Sequence, residues 1–182
     1  MDVRQLLDRN QEFQRYQEHN NDPADPQYRG FFQPLFSTII SRESGYGLDY
    51  GAGPGSALVA MLEEQGLTMK VFDPFFFPDT QILNEEHSYD FVVCTETMEH
   101  FFDPYKDVSL LVDLVKPGGT VYCMTLLYQP DIDFGGWHYR MDPTHVFFYQ
   151  HETLVWLSKA FDLDLEYIQA SRCFYFQKHS RN

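Results

Sequence analysis

Residues 46–66 read YGLDYGAGPGSALVAMLEEQG, and the fold turns on how that stretch is understood. A β-prone segment, YGLDY, runs into glycines at alternate positions, Gly51, Gly53 and Gly55. A helix-like tail follows, closed by Gly66 as a C-cap. Strand, glycine turn and helix in that order put the turn at the carboxyl end of a strand, where open α/β sheets bind ligands. Lacking Cβ atoms, the turn lets ligand atoms meet backbone amides at the positive end of the helix. That much suits any nucleotide.

Two carboxylates narrow the choice. No Gly-Lys-Ser/Thr follows the turn, which excludes a P-loop, and the dinucleotide pattern Gly-x-Gly-x-x-Gly meets Ser56 at its last position. Asp49, just before the turn, would repel a pyrophosphate but suits a ligand bearing an ammonium group. Asp73 ends the apolar run MKVFD, where a carboxylate can accept both hydroxyls of a ribose. An ammonium at one end and an unphosphorylated ribose at the other describe S-adenosylmethionine.

Outward from this stretch the chain alternates strands and helices. LTMKVFD, YDFVVCTE and GTVYCMTLL read as strands, and FFDPYKDVSLLVDLVKPGG sets a helix between the last two. The tail adds a helix, HETLVWLSKAF, and two strands, DLDLEYIQ and RCFYFQK. Ahead of the first strand, residues 1–19 carry an apolar helical face of Val3, Leu6, Leu7, Phe13 and Tyr16. HNNDPADPQYRG reads as a loop, and FFQPLFSTIISRES resumes a helix. The alternation predicts βαβ units and a parallel sheet covered on both faces.

Composition sets the outer bounds. A chain of 182 residues, 43% hydrophobic and 22% charged, suits one soluble domain. No apolar run is long enough to span a membrane. MDVRQLLDRNQEFQ is charged from its second residue, unlike a signal peptide. Cys94, Cys123 and Cys173 are scattered in apolar contexts, as expected for reduced, buried thiols of a cytoplasmic protein. With 27 acidic against 13 basic residues the net charge is −14, which opposes a nonspecific hold on nucleic acid or an anionic membrane.

Four segments together resemble one family. LDYGAGPG is similar to the Asp-x-Gly-x-Gly-x-Gly motif of class I S-adenosylmethionine-dependent methyltransferases, and VFDP to their ribose-binding strand end. YDFVVCTETMEHFFDP resembles their fourth strand, and LVKPGGTVYCMT their Pro-Gly-Gly turn into the fifth. Residues 46–176 carry these motifs in the family's order. The resemblance implies a Rossmann-like, doubly wound α/β fold, its mostly parallel sheet flanked by helices on both faces. It implies that Asp49 contacts the methionine end and that Gly51, Ala52, Gly53 and Gly55 form the turn beneath the cofactor. Asp73 would hold the ribose, with Pro74 and Phe75 beside the adenine, while Thr95 and Glu96 close over the cofactor. The family usually fits a helix, a strand and a helix into what is here only residues 74–89. The third strand is therefore expected to be lost or vestigial, leaving about six. The acid that often follows it, near the adenine amine, has no clear counterpart, and backbone groups of Gln81 to Leu83 are the expected substitute.

Methyl transfer from a sulfonium is an in-line displacement. The protein must hold donor and acceptor in near-attack geometry, and needs a base only where the acceptor loses a proton. In TETMEHF, Glu96, Glu99 and His100 share one face if helical, and His145, in GGWHYRMDPTHVFFYQHETL, can join them. Two carboxylates and two imidazoles make a divalent-metal set, and His100 and His145 are also the candidate catalytic residues. The pattern resembles ubiquinone-biosynthesis O-methyltransferases and methyltransferases acting on the terminal ribose of small RNAs, whose matching residues can hold a metal. A structural clasp, tying the overhanging segment to the sheet, is the alternative. Trp137, His138, Tyr139 and Arg140 either line the acceptor site or form an exposed loop, with Gly135 and Gly136 letting the segment move. YRGFF (residues 28–32) can offer the cofactor an aromatic ring or Arg29.

The expectation is one methyltransferase domain over residues 1–182. Residues 1–45 form a helical cover, 46–127 the cofactor-binding half, and 128–182 the acceptor segment and final strands. The expected reaction is methylation of a small molecule, at oxygen, by a monomer or homodimer. An RNA ribose methyltransferase and a non-catalytic cofactor-binding regulatory module are the alternatives.

Overall fold

The computed structural model describes residues 7–17, 22–84 and 86–180. The chain runs α1 (Arg9–Gln17), α2 (Pro26–Arg42), β1 (Tyr46–Tyr50), α3 (Ala57–Glu64), β2 (Thr68–Phe72) and β3 (Tyr89–Thr95). It continues through α4 (Pro104–Leu114), β4 (Val115–Met124), α5 (His151–Ala160), β5 (Leu163–Gln169) and β6 (Cys173–Lys178).

Helix starts follow their caps. The Asp25 carboxylate accepts from the Gln27 and Tyr28 amides at 2.7 and 3.3 Å, and Pro26 occupies the first turn. The Asp-Pro pair that reads as a loop is thus a helix start, and α2 begins at Pro26 rather than Phe31, carrying YRGFF on a helix. Ser56, standing where a third dinucleotide glycine would be, caps α3 by accepting from Val59 N at 3.1 Å. Asp103 caps α4 through Lys106 N at 3.2 Å. Of the helix expected over residues 1–19, the described part is α1; Val3 and Leu6 lie outside the described residues.

The sheet order is β2-β1-β3-β4-β6-β5. β2, β1, β3 and β4 are parallel, and β6 runs antiparallel to both β4 and β5. Because side chains alternate along a strand, the apolar run FVVC splits between two cores. Val92 and Cys94 join Leu48, Val121 and Cys123 beneath α4 and α5, whereas Phe91 and Val93 join Tyr122 and Met124 against α2 and α3. All three cysteines are free and buried.

The expected loss of a strand is seen. Between β2 and β3 the described residues form an isolated Asp73–Phe77 bridge and a 3-10 turn, Thr80–Asn84, but no strand, so β2 is the sheet edge. Among the described residues no helix is long and apolar enough to cross a membrane.

Candidate active site

The carboxyl ends of β1, β2 and β3 open into a cavity of about 940 Å³, which α1 and α2 also help to line. Its floor is the glycine turn. Gly51 has φ +83°, and a Cβ there would stand 2.3 Å from Thr97 Cγ2. Gly53 has φ +62°, and a Cβ there would meet no protein atom within 4 Å. Three of the turn's amides are committed within the protein. Gly51 N and Ala52 N both donate to Phe72 O, at 2.8 and 3.1 Å, and Gly53 N donates to Asp73 Oδ2 at 3.0 Å. The turn therefore offers a ligand close approach rather than the bare amide donors that its sequence suggests.

Asp73 also accepts from Phe75 N and Phe76 N, at 2.8 and 3.0 Å. Three backbone donors fix its carboxylate at the end of β2 and leave acceptor capacity on Oδ2. Gly51, Ala52, Gly53, Asp73, Pro74, Phe75, Thr95 and Glu96 line the cavity; Asp49 and Gly55 do not. Asp49 is buried on β1, and neither carboxylate oxygen has a hydrogen-bond partner. Burial pushes its carboxyl up to about 7, although the Ser56 hydroxyl nearby works the other way.

Tyr28, Phe31 and Phe32 of α2 line the cavity, but Arg29 turns away to pair with Glu64 of α3. Gln81 to Leu83 are absent from the cavity wall. Ile82 is buried, and its carbonyl accepts from Tyr89 OH at 3.2 Å. The Ile82 carbonyl, one of the backbone groups expected to read adenine, is spent on the core instead.

Across the cavity, Glu99, His100 and His145 each offer one ligand atom, all within 4.8 Å of one another. Each histidine is oriented by a backbone carbonyl: His100 Nδ1 lies 2.9 Å from Thr144 O, and His145 Nδ1 lies 2.6 Å from Tyr139 O. A proton on His145 Nδ1 leaves the Nε2 lone pair facing Glu99 Oε1, 3.9 Å away. Burial lowers the His145 pKa against the pull of Glu99, with His100 adding to the fall, so the ring is neutral at pH 7. Glu99 is buried, its Oε1 accepts from the Tyr139 hydroxyl, and its Oε2 has no partner. Burial holds its carboxyl above the ordinary range, against that hydrogen bond.

Glu96 stands outside this three-way cluster. Its backbone lies at φ +49°, a conformation that costs a non-glycine residue about 1–2 kcal/mol. Arg172, from the β5–β6 turn, donates to its Oε1 at 3.2 Å, and the Tyr139 hydroxyl is 3.4 Å from its Oε2. Burial and the Glu99 charge hold the Glu96 carboxyl high, while Arg172 opposes them.

Residues 128–148 pack by their rings, with Trp137 5.5, 5.3 and 5.4 Å from Tyr128, Tyr139 and Phe148. Trp137 and Tyr139 are buried, His138 and Arg140 are exposed, and none of the four lines the cavity. Gly135 and Gly136 are held in a turn, their amides donating to Asp133 at 3.1 and 3.2 Å. α1 closes the opposite side. Arg15 donates to Asp142 at 2.8 Å, Arg9 to Pro74 O at 2.9 Å, and Tyr16 OH lies 3.3 Å from His100 Nδ1. Asp142, despite burial that works the other way, is held down at about 2 by Thr144 and Arg15.

Sequence reading missed Thr97, whose hydroxyl donates toward Gly51 O (3.2 Å) and Thr95 O (3.0 Å), as well as Arg172 and the α1 contacts. No local pattern distinguishes them.

Over residues 13–168 the chain matches the family of methyltransferase domains. The ubiquinone biosynthesis O-methyltransferase of Escherichia coli O157:H7 (strain EC4115 / EHEC) is 33% identical over 130 residues, 53% of this chain and 54% of that protein. The chain thus spans about half the length of the curated relatives it matches. Among solved structures, an S-adenosylmethionine-dependent methyltransferase from Archaeoglobus fulgidus superposes with a TM-score of 0.62 at 14% identity, covering 82% of this chain and 94% of that one. Phosphoethanolamine N-methyltransferase 2 of Haemonchus contortus, in complex with S-adenosylmethionine, gives a TM-score of 0.60 at 14% identity, covering 81% and 52%. At such identities the two structures speak for the fold.

Proposed function

Because the chain belongs to the class I S-adenosylmethionine-dependent methyltransferases, we propose that it methylates a small-molecule acceptor at oxygen. One observation carries this reading: a single cavity joins the glycine turn and Asp73 to a buried carboxylate flanked by two oriented imidazoles. The named activity of the curated relatives, O-methylation, agrees with it.

S-adenosylmethionine supplies an electrophilic methyl group on sulfur. The protein's share is to fix the nucleoside at Asp73 and the turn, keep water out with α1 and α2, and hold the acceptor hydroxyl in line. Transfer would form the oxygen–carbon bond as the sulfur–methyl bond breaks, with S-adenosylhomocysteine as the leaving group. The acceptor's proton would pass to His145 Nε2, whose neutrality at pH 7 and carbonyl-fixed tautomer suit a general base. Glu99, 3.9 Å away, stabilises the imidazolium.

The same residues fit a divalent cation. Glu99 Oε2 is a buried oxygen without a partner, and one carboxylate with two imidazoles is a borderline donor set. Such an ion, held by Glu99, His100 and His145, would occupy the Nε2 lone pair and so replace His145 as base, favouring ionisation of the acceptor hydroxyl instead. Glu96, paired with Arg172, is left to brace Tyr139.

Saturating S-adenosylhomocysteine, at about 100 times its dissociation constant, is expected to add roughly 2.7 kcal/mol of stability. That raises the melting temperature by roughly 5–10 °C, whereas NAD leaves it unchanged. Absence of the shift overturns the cofactor assignment. Release of S-adenosylhomocysteine with simple catechols then tests the acceptor class, and a response only to amines overturns oxygen as the target.

Affinity for S-adenosylhomocysteine is also expected to depend on pH. In the free protein Asp49 keeps its proton up to about 7, above its ordinary 3.8. A bound ammonium favours the carboxylate, so binding expels that proton. Affinity should climb by up to about tenfold per pH unit from pH 5.5 to 7 and then level off. The ligand's own amine stays protonated across that window. Titration calorimetry in two buffers of different ionisation enthalpy measures the proton; a flat profile removes Asp49 from the site.

A further inference from the structure

Beyond Asp73, the described acids between β2 and β3, Asp79 and Glu86, do not line the cavity, whose wall holds another candidate to receive an adenine amine. Tyr50, the last residue of β1, pairs in register with Phe72, the residue before Asp73. Its ring lies 5.2 Å from Phe72 and 6.1 Å from Phe101, and Tyr50 and Phe101 both line the cavity. Tyr50 and Phe101 cross at 79°, so rather than a slot they give the cavity aromatic surface one strand away from the ribose acid, against which a purine can lie.

Asp107, in the first turn of α4, lines the same cavity, and its charge acts on the Tyr50 hydroxyl. The other carboxylates on the wall are committed. Asp73 holds three backbone amides, Asp103 caps α4, Glu12 accepts from Tyr16, and Asp142 holds Arg15. Glu96 and Glu99 share Tyr139. Asp107 sits half-buried beside Lys106 and retains acceptor capacity. Burial and the neighbouring Asp103 draw its carboxyl above the ordinary range, as expected for an acceptor lacking a full set of donors.

We propose that Asp107 receives the exocyclic amine of the cofactor's adenine, replacing from α4 the acid that the lost third strand would have carried. This rests on S-adenosylmethionine being the cofactor. The carboxylate, an acceptor only, selects the 6-amino purine and repels a 6-oxo one, whose oxygen would face it.

The test is calorimetric binding of S-adenosylhomocysteine and of S-inosylhomocysteine, its 6-oxo analogue, to the wild type, Asp107→Asn and Asp107→Ala. Lys106 can donate to the 6-oxo group, so the ratio of the two affinities is the readout. The wild type is expected to prefer the adenosyl compound by about tenfold or more. Asp107→Ala should weaken that compound by about tenfold and leave the inosyl compound unchanged or tighter. Asp107→Asn, able to donate to the oxo group, should erase or invert the preference. A wild-type ratio retained in both variants overturns the assignment, even if both ligands bind more weakly. Wild type binding neither ligand overturns the cofactor reading itself, and this proposal with it.

Discussion

Glu99→Gln is expected to cut methyl transfer by about 100-fold or more while leaving the folded protein as stable as before, or more so. The two effects share one cause. Glu99 is buried with Oε2 unpartnered, so its negative charge is costly to hold and useful only when a cation or an imidazolium faces it. Glutamine keeps the shape, and its amide oxygen still accepts from Tyr139, but the charge is gone.

The pH dependence follows with a definite sign. Burial raises the folded-state pKa above the ordinary 4.5, so the folded protein keeps a proton that the unfolded chain has released. Stability therefore falls as pH rises above about 4.5, until Glu99 ionises in the folded state as well. Glu99→Gln removes that contribution. Its melting temperature should gain on the wild type as pH rises above about 4.5, with the S-adenosylhomocysteine shift retained. His145→Ala should match the loss of turnover and keep the cofactor shift. Turnover unchanged in both variants would make the cluster a structural clasp, holding residues 142–147 to the end of β3 through the Val146 and Phe147 amides on Glu99 O.

Gly51→Ala should be the most damaging substitution in the glycine turn. At φ +83° an alanine is strained, and its methyl would stand 2.3 and 2.4 Å from Thr97 Cγ2 and Oγ1. Strain of about 1–2 kcal/mol and overpacking of about 1–3 kcal/mol together suggest a loss of roughly 2–5 kcal/mol. For a chain of this length that is a fall of roughly 5–20 °C in melting temperature. Gly53→Ala makes the informative contrast. Its φ of +62° carries similar strain, but the added methyl enters open space on the cavity wall. It should cost about 1–2 kcal/mol of stability and about tenfold or more in S-adenosylhomocysteine affinity. Melting curves with and without ligand separate the two; normal affinity in Gly53→Ala would mean that the turn is not the cofactor's floor.

What could be read from the chain alone was local. Glycines at alternate positions after an apolar run, Asp49 before them and Asp73 at the next strand end are signals carried within a few residues, because backbone geometry there demands particular residue types. The six-stranded sheet and the missing third strand were legible for the same reason, since residues 74–89 are too few for two helices and a strand. Even the start of α2 was present in Asp25-Pro26, although the pair reads equally well as a loop.

Tertiary structure decided whatever depends on contacts across the sheet. Tyr139 meets Glu99 only because a ring cluster folds residues 128–148 back over the end of β3. Arg172 reaches Glu96 from a hairpin turn formed by two later strands, and Arg29 is diverted to Glu64 by the packing of α2 on α3. Such pairings have no spacing in sequence, since loop closure and side-chain packing set them. The order of residues was enough to establish the fold class and the position of the glycine turn. Which carboxylates are spent, and which are left buried and waiting for a partner, was settled only by the folded chain, because the desolvation that makes Asp49 and Glu99 costly does not exist until the core closes around them.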